Sequence, residues 1–324
     1  MSEHKQWAFP ETLQPRADDV GFDLARALDA VLLVRAEIPE EAFTAGILGT
    51  ERAGYGVVIG DDGLVLTIGY LVTEAQTLWL STNRGVVVAG TPLAYDQATG
   101  FGLIQPLGPL GVAPLARGSV RAVAPGDEVY VIGHGGVKHA LKAKLLAKRE
   151  FAGYWEYVLD EALFTTPAHP QWGGAALLDA AGTLIGIGSL LVQEEIEGET
   201  RQVNMFVPID LLEPILPAMR RNGRSGEPPR PWLGMYTQES EGQLVVGGLA
   251  PAGPAERAGV KVGDMVIGVA DERVRELAKF FRRVWRLGAA GVEVPLTLAR
   301  DGDVLRIRVV SADRNDFLWK PRLH

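Results

Sequence analysis

Short apolar runs separated by glycine, proline and acidic residues dominate the first two thirds of the chain. Residues 57–59 (Val-Val-Ile) and 64–67 (Leu-Val-Leu-Thr) flank residues 60–63 (Gly-Asp-Asp-Gly), and this arrangement predicts a β-hairpin. Similar runs recur at residues 86–89 and 129–133. Many short strands joined by turns predict a mainly β barrel or sandwich and disfavour a βαβ fold.

The chain divides at residues 220–229, which are charged, rich in glycine and proline, and free of apolar side chains. Such a composition is typical of a linker. A length of 324 residues is enough for two domains with separate cores, and 47% hydrophobic with 22% charged residues is ordinary for a globular protein. The predicted organisation is an extension (1–28), a β-rich domain (29–219) ending in a helix (211–219), the linker, a smaller domain (230–314) and a tail (315–324).

Three motifs characterise the smaller domain. Residues 249–255 are Leu-Ala-Pro-Ala-Gly-Pro-Ala, and residues 258–269 are Ala-Gly-Val-Lys-Val-Gly-Asp-Met-Val-Ile-Gly-Val. Residues 296–302 are Leu-Thr-Leu-Ala-Arg-Asp-Gly. Together they resemble the PDZ domain that follows the protease domain in HtrA-type serine proteases.

The β-rich domain resembles the trypsin-like domain of the same family. Residues 54–59 (Gly-Tyr-Gly-Val-Val-Ile) and 61–72 are similar to its general-base segment, and residues 95–104 to its aspartate segment. Residues 170–187 are similar to its nucleophile segment. The resemblance implies two six-stranded barrels, so the predicted fold class is mainly β, a chymotrypsin-like double β-barrel followed by a smaller α+β PDZ domain.

The resemblance places three catalytic positions on unusual residues. Trp172 stands at the position of the nucleophilic serine, Tyr70 at that of the histidine and Gly100 at that of the aspartate. Pro170, which lacks an N–H, replaces one oxyanion-hole donor. An indole has no ionisable hydroxyl, and a tyrosine of ordinary pKa is a poor base at neutral pH. We therefore predict a pseudoprotease, not an enzyme, that works as a protein-binding scaffold or assembly factor.

Two alternatives to that prediction concern the same cleft. One is a serine-type endopeptidase with a rearranged active site, in which His169 serves another serine such as Ser189. The other is a metal- or small-ligand-binding protein, for which His134, His139 and His169 are the candidate ligands. No cysteine accompanies these histidines and their spacing is not that of a zinc motif, so we predict neither metal nor cofactor. Packing is the favoured role of Trp172 in a vacated pocket.

The PDZ resemblance implies a peptide groove, in which a ligand's C-terminal carboxylate meets backbone amides and its chain adds to a sheet edge. Gly234 permits close approach because it has no Cβ. Residues 273–286 carry six basic side chains and one acid, which favours acidic ligand residues. The alternative is a domain that only packs against the barrels. The predicted peptide-binding residues are Trp232, Leu233, Gly234, Met235, Phe280, Phe281 and Val284.

Charge and hydropathy argue against nucleic acid and a membrane span, whereas protein and peptide partners are what the PDZ resemblance implies. A net charge of −8 disfavours nucleic acid, and no apolar run approaches the ~18 residues of a membrane span. No signal peptide is visible, which predicts a cytoplasmic location, although the family often acts outside the cytoplasm. The resemblance implies that Trp7 and Phe9 hold a homotrimer, as N-terminal aromatic residues do in the family; a hetero-assembly and a disordered tail are the alternatives.

Overall fold

The computed structural model describes residues 7–196 and 198–320, which form two compact units. Of the described residues, the first unit holds 7–149, 161–196, 198–226 and 319–320. The second unit holds residues 150–160 and 227–318. Residues 150–160, which fall inside the predicted β-rich domain, are therefore part of the unit that contains the predicted PDZ domain.

The first unit contains two closed six-stranded barrels. Neighbouring strands in the first barrel follow the order β1-β2-β3-β6-β5-β4, and in the second β10-β11-β12-β9-β8-β7, with all pairs antiparallel where register is defined. The strands of the first barrel are β1 (Val31–Glu37), β2 (Glu51–Val58), β3 (Val65–Ile68), β4 (Thr77–Ser81), β5 (Val87–Tyr95) and β6 (Phe101–Pro106). Those of the second are β7 (Glu128–Ile132), β8 (Ala140–Gly153), β9 (Tyr157–Thr166), β10 (Ala176–Leu178), β11 (Leu184–Ile196) and β12 (Glu199–Pro208).

The predicted hairpin illustrates why these residues form strands. Val57 pairs with Leu66 and Val58 with Val65, and all four side chains are buried. Gly63 closes the turn at φ +79°, a conformation that favours glycine, and its N–H donates to the carbonyl of Gly60 at 2.9 Å. The double β-barrel prediction is confirmed.

Helices in the first unit are short. They are α1 (Leu24–Asp29), α2 (Ala45–Leu48) and α3 (Leu216–Asn222). In place of the helix predicted at 211–219, the chain forms a 3₁₀ turn (Ile209–Leu211), a non-helical turn at 212–215 and then α3, which runs three residues into the predicted linker. It ends where Gly223 takes a left-handed conformation, φ +75°, and donates to the carbonyl of Met219.

The second unit is a six-stranded sheet with two helices, which confirms the predicted α+β architecture. Strand β13 lies at one edge of the order β13-β14-β15-β17-β18, and β16 pairs with β15. The apolar face of α5 packs into the core through Phe280, Phe281 and Val284, each at most 1% exposed. The elements are β13 (Met235–Ser240), β14 (Gln243–Leu249), α4 (Pro254–Arg257), β15 (Met265–Val269), β16 (Glu272–Arg273), α5 (Leu277–Trp285), β17 (Glu293–Arg300) and β18 (Asp303–Val310).

An ion pair explains two of the sequence motifs in this unit. The fully buried Asp264 accepts two hydrogen bonds from the guanidinium of Arg300, at 2.6 and 2.7 Å, and one from the N–H of Lys261. These donors lower the pKa of Asp264, with Arg300 as the main cause. The bidentate geometry joins the turn before β15 to the end of β17.

Trp7 and Phe9 pack within the first unit. Their rings lie 5.4 and 5.1 Å from the His169 ring, and Trp7 also contacts the His139 ring at 4.5 Å. The N–H of Phe9 donates to the carbonyl of Lys138. The role predicted for these two residues in a homotrimer stays a prediction. Across residues 7–196 and 198–320, no helix has the length and hydropathy needed to cross a membrane.

Candidate functional site

The turn that precedes β10 is fixed by backbone hydrogen bonds. Tyr55 N–H donates to the Gly173 carbonyl, and Gly174 N–H donates to the Gly188 carbonyl, each at 2.8 Å. A Cβ on Gly174 would lie 1.9 Å from the carbonyl oxygen of Tyr55, and its φ is +78°. Only glycine fits this position, so the sequence Gly173-Gly174 determines how closely the turn approaches β2.

Tyr70 and Trp172 both line a cleft of about 330 Å³ in the first unit. The Tyr70 hydroxyl donates to the carbonyl of Ser189 at 2.9 Å. Burial raises the pKa of Tyr70 and the neighbouring Trp172 side chain acts in the opposite direction, so the phenol is a proton donor at neutral pH. Gly100 is adjacent, because its carbonyl accepts from the N–H of Gly69 at 2.6 Å.

His169 is held as a neutral imidazole beside this cleft. Its Nδ1 accepts from Gln171 N–H and its Nε2 donates to the His139 carbonyl, both at 3.1 Å. Burial lowers its pKa to about 4. Both ring nitrogens are therefore engaged with backbone groups, and the suggested pairing of His169 with Ser189 has no support in this geometry. Pro170, with no N–H of its own, lies next in the chain.

Within the second unit, the loop at the start of β13 binds a carboxylate. The Glu156 side chain accepts from the backbone N–H groups of Leu233 (3.0 Å), Gly234 (2.7 Å) and Met235 (3.1 Å). Gly234 has φ +70°, and a Cβ there would press on Trp232 and Ala250. Burial raises the pKa of Glu156 to about 7, and the three amides act against that rise.

The other predicted groove residues are core residues of this unit. Phe280, Phe281 and Val284 share a buried apolar cluster with Leu233 and Met235. The same cluster contains Val158, from residues 150–160.

Trp232 has a different environment from the one expected of a groove residue. Its N–H donates to the Ala312 carbonyl at 3.0 Å, and its ring packs on Phe317 at 4.7 Å. The peptide-binding role of the predicted set stays a prediction.

Comparisons with known proteins agree with both units. Residues 54–187 match the trypsin-like peptidase domain family and residues 231–310 match the PDZ domain family. The chain is HtrA-like. It is 23% identical to serine endoprotease DegS of Haemophilus influenzae over 272 residues, which are 81% of this chain and 78% of that protein. It is also 23% identical to a probable periplasmic DegP-like serine endoprotease of Halomonas elongata, covering 81% of this chain and 57% of that protein.

Solved structures show the same fold. The HtrA-type protease AlgW with a decapeptide superposes with a TM-score of 0.54 at 17% identity, covering 92% of the HtrA-like chain and 98% of that chain. A serine endoprotease from Yersinia pestis superposes with a TM-score of 0.51 at 19% identity, covering 90% and 96%.

The prediction that this HtrA-like chain is not an enzyme is wrong. Relatives that match about four fifths of it are named serine endoproteases, and the structurally similar chains are HtrA-type proteases. The prediction rested on the side chains at Tyr70, Gly100 and Trp172 and on the missing N–H of Pro170. These four positions do not describe every group that reaches the cleft, and activity depends on all of those groups.

Sequence reasoning missed the carboxylate that the HtrA-like chain places in its own PDZ loop. Glu156 is 77 positions before Leu233, and no local pattern marks it as a partner of that loop. The one available signal was compositional, because residues 150–160 hold three acidic and no basic side chains.

Proposed function

We propose that this HtrA-like protein recognises peptides by their C-terminal carboxylate, which the backbone amides of residues 233–235 capture. The observation that carries the proposal is the convergence of three N–H groups on one carboxylate, that of Glu156. Hydrogen bonds to a charged acceptor are stronger than those between neutral groups. An α-carboxylate offers these donors the same pair of oxygens.

The surroundings of the loop suit an extended chain. Strand β13 lies at the edge of its sheet, which is the position where an extended peptide adds as a further strand. Leu233, Met235 and Phe280 provide an apolar environment for the last side chain of a ligand. The AlgW structures, which contain a tripeptide or a decapeptide, give a family precedent for bound peptides.

Fluorescence polarisation with labelled C-terminal peptides tests this proposal. Peptides with an apolar last residue and a free carboxylate are expected to bind at least about ten-fold more tightly than their amidated versions, because amidation removes the charge that the three amides recognise. Two outcomes would contradict carboxylate capture: equal affinity for the free and the amidated peptides, or no detectable binding of either peptide to the parent chain or to any variant.

A serine-type endopeptidase activity with a rearranged active site is the second candidate function. The observation in its favour is the set of relatives named serine endoproteases, together with a cleft between strands and turns of the trypsin-like domain. Because Tyr70 is protonated and Trp172 has no nucleophilic group, the attacking group would come from another residue.

A fluorogenic casein assay tests this candidate. Turnover is expected to be lost in Ala53→Trp, which fills the cleft; turnover that this substitution leaves unchanged, or none in the parent chain, would count against it.

A further inference from the structure

Residues 150–160, which we call the internal segment, make the contacts that a bound peptide would make. Glu156 is only 6% exposed, and its carboxylate accepts from all three loop amides. Its φ is +63°, a left-handed conformation that disfavours residues with a Cβ. A conformation of this kind persists where surrounding contacts fix it, and the captured carboxylate is such a contact.

Two other residues of the internal segment also make contacts like those of a bound peptide. Thr237 N–H, on edge strand β13, donates to the Tyr154 carbonyl at 3.2 Å. Val158 is buried in the cluster that contains Phe280 and Phe281. The segment therefore supplies a carboxylate, a backbone acceptor at the sheet edge and an apolar side chain.

Charge complementarity adds a fourth kind of contact. Arg282, on the basic face of α5, pairs with both Glu150 and Asp160 of the internal segment. The segment carries three acids and no base, whereas α5 carries Lys279, Arg282 and Arg283 and no acid. The acidic preference predicted for the groove from its basic helix is thus satisfied within the chain itself.

We propose that residues 150–160 are an internal ligand of the PDZ groove, and that an external peptide binds by displacing them. The favoured external ligand has a free C-terminal carboxylate, an apolar last side chain and an acidic residue upstream that replaces Glu150 or Asp160 at Arg282. This inference rests on the proposed function, because displacement requires that the same loop accept an α-carboxylate.

Space for the first contact exists beside the segment. A cavity of about 440 Å³ lies between residues 151–155 of the segment and Gln238, Glu239 and Leu277. A peptide can occupy this cavity before the Glu156 carboxylate leaves the loop, so displacement need not begin from an open groove.

The test compares the full-length chain with two variants, using a fluorescent peptide that ends in a free carboxylate after an apolar residue and has an acidic residue upstream. Glu156→Ala removes the internal carboxylate, and the exposed Glu161→Ala, one residue beyond the segment, is the matched control. We expect Glu156→Ala to bind the peptide at least ten-fold more tightly than the parent chain, and Glu161→Ala to bind it as the parent does. Circular dichroism establishes that both variants are folded.

The outcomes separate this inference from the function on which it rests. Equal affinity of the parent and Glu156→Ala, with amidation still abolishing binding, would leave carboxylate capture intact and overturn the internal ligand. Absence of binding to every variant would overturn both. Replacing the upstream acid of the peptide by its amide is expected to weaken its binding to Glu156→Ala several-fold. An unchanged affinity would contradict the proposed contact between Arg282 and the peptide.

Discussion

Replacement of Gly174 by alanine is expected to destabilise the first unit by about 3 to 5 kcal/mol, at the upper end of single-substitution effects. The new Cβ would lie 1.9 Å from the Tyr55 carbonyl oxygen and 2.8 Å from Thr67 Oγ1, so the backbone would have to move. That movement would break the hydrogen bonds from Tyr55 to Gly173 and from Gly174 to Gly188. The left-handed conformation costs alanine a further ~1 kcal/mol.

Gly111→Ala is the matched control. Gly111 also has a positive φ, +68°, but a Cβ there would meet no atom within 4 Å. Its cost is expected to be only about 1 kcal/mol, the conformational part alone. Urea unfolding of the two variants measures the difference. An equal loss of stability in both would show that the turn before β10 yields without strain and would contradict the close packing of this turn on β2.

Peptide affinity is expected to rise between pH 5.5 and pH 8, by at most about thirty-fold. Burial raises the pKa of Glu156 from 4.5 to about 7 in the docked internal segment. The docked segment therefore holds its proton more tightly than the released one. Docking of the segment is strongest at low pH and weakens as the pH rises from about 4.5 through 7. Because the segment and the peptide compete for the same loop, weaker docking gives the peptide a higher apparent affinity. In solution the peptide's own α-carboxylate is ionised throughout this range.

The surroundings of Glu156 make this pH response specific. All five histidines of the chain lie outside residues 150–160 and 227–318. The charged neighbour is Arg314, and the neighbouring phenols are Tyr154 and Tyr236; burial raises the pKa of Tyr236, which keeps it neutral in this range. Glu156→Gln is expected to give a flat profile, since it has no proton to lose. A parent chain with the same flat profile between pH 5.5 and pH 8 would refute the assignment.

Local patterns predicted a mainly β barrel or sandwich, and the resemblance to HtrA-type proteases implied the two six-stranded barrels and the PDZ domain. The hairpin between β2 and β3 follows from two apolar runs around a Gly-Asp-Asp-Gly turn, and the Asp264–Arg300 pair accounts for two motifs of the PDZ domain. The end of α3 was misplaced because its last residues, Arg220 to Asn222, resemble a linker in composition. They are helical in the structure, where Gly223 provides the C-terminal cap.

The candidate site was harder to predict because its decisive contacts join distant parts of the chain. Leu233, Gly234 and Met235 could be predicted from their resemblance to a carboxylate loop, but their partner Glu156 could not. Residue identities at Tyr70, Gly100, Pro170 and Trp172 led to a wrong prediction about activity, since four positions do not define what a whole cleft does. The homotrimer or hetero-assembly, the cytoplasmic location and the domain boundaries remain predictions.

Amide hydrogen exchange at Leu233, Gly234 and Met235 tests most directly the central claim that this loop is a carboxylate site. In the parent chain these three amides are expected to be protected, because each donates to Glu156. In Glu156→Ala they are expected to exchange at least about ten-fold faster, and saturation with a free-carboxylate peptide is expected to restore protection. Equal exchange rates in the parent chain and Glu156→Ala, unchanged by the peptide, would contradict the claim.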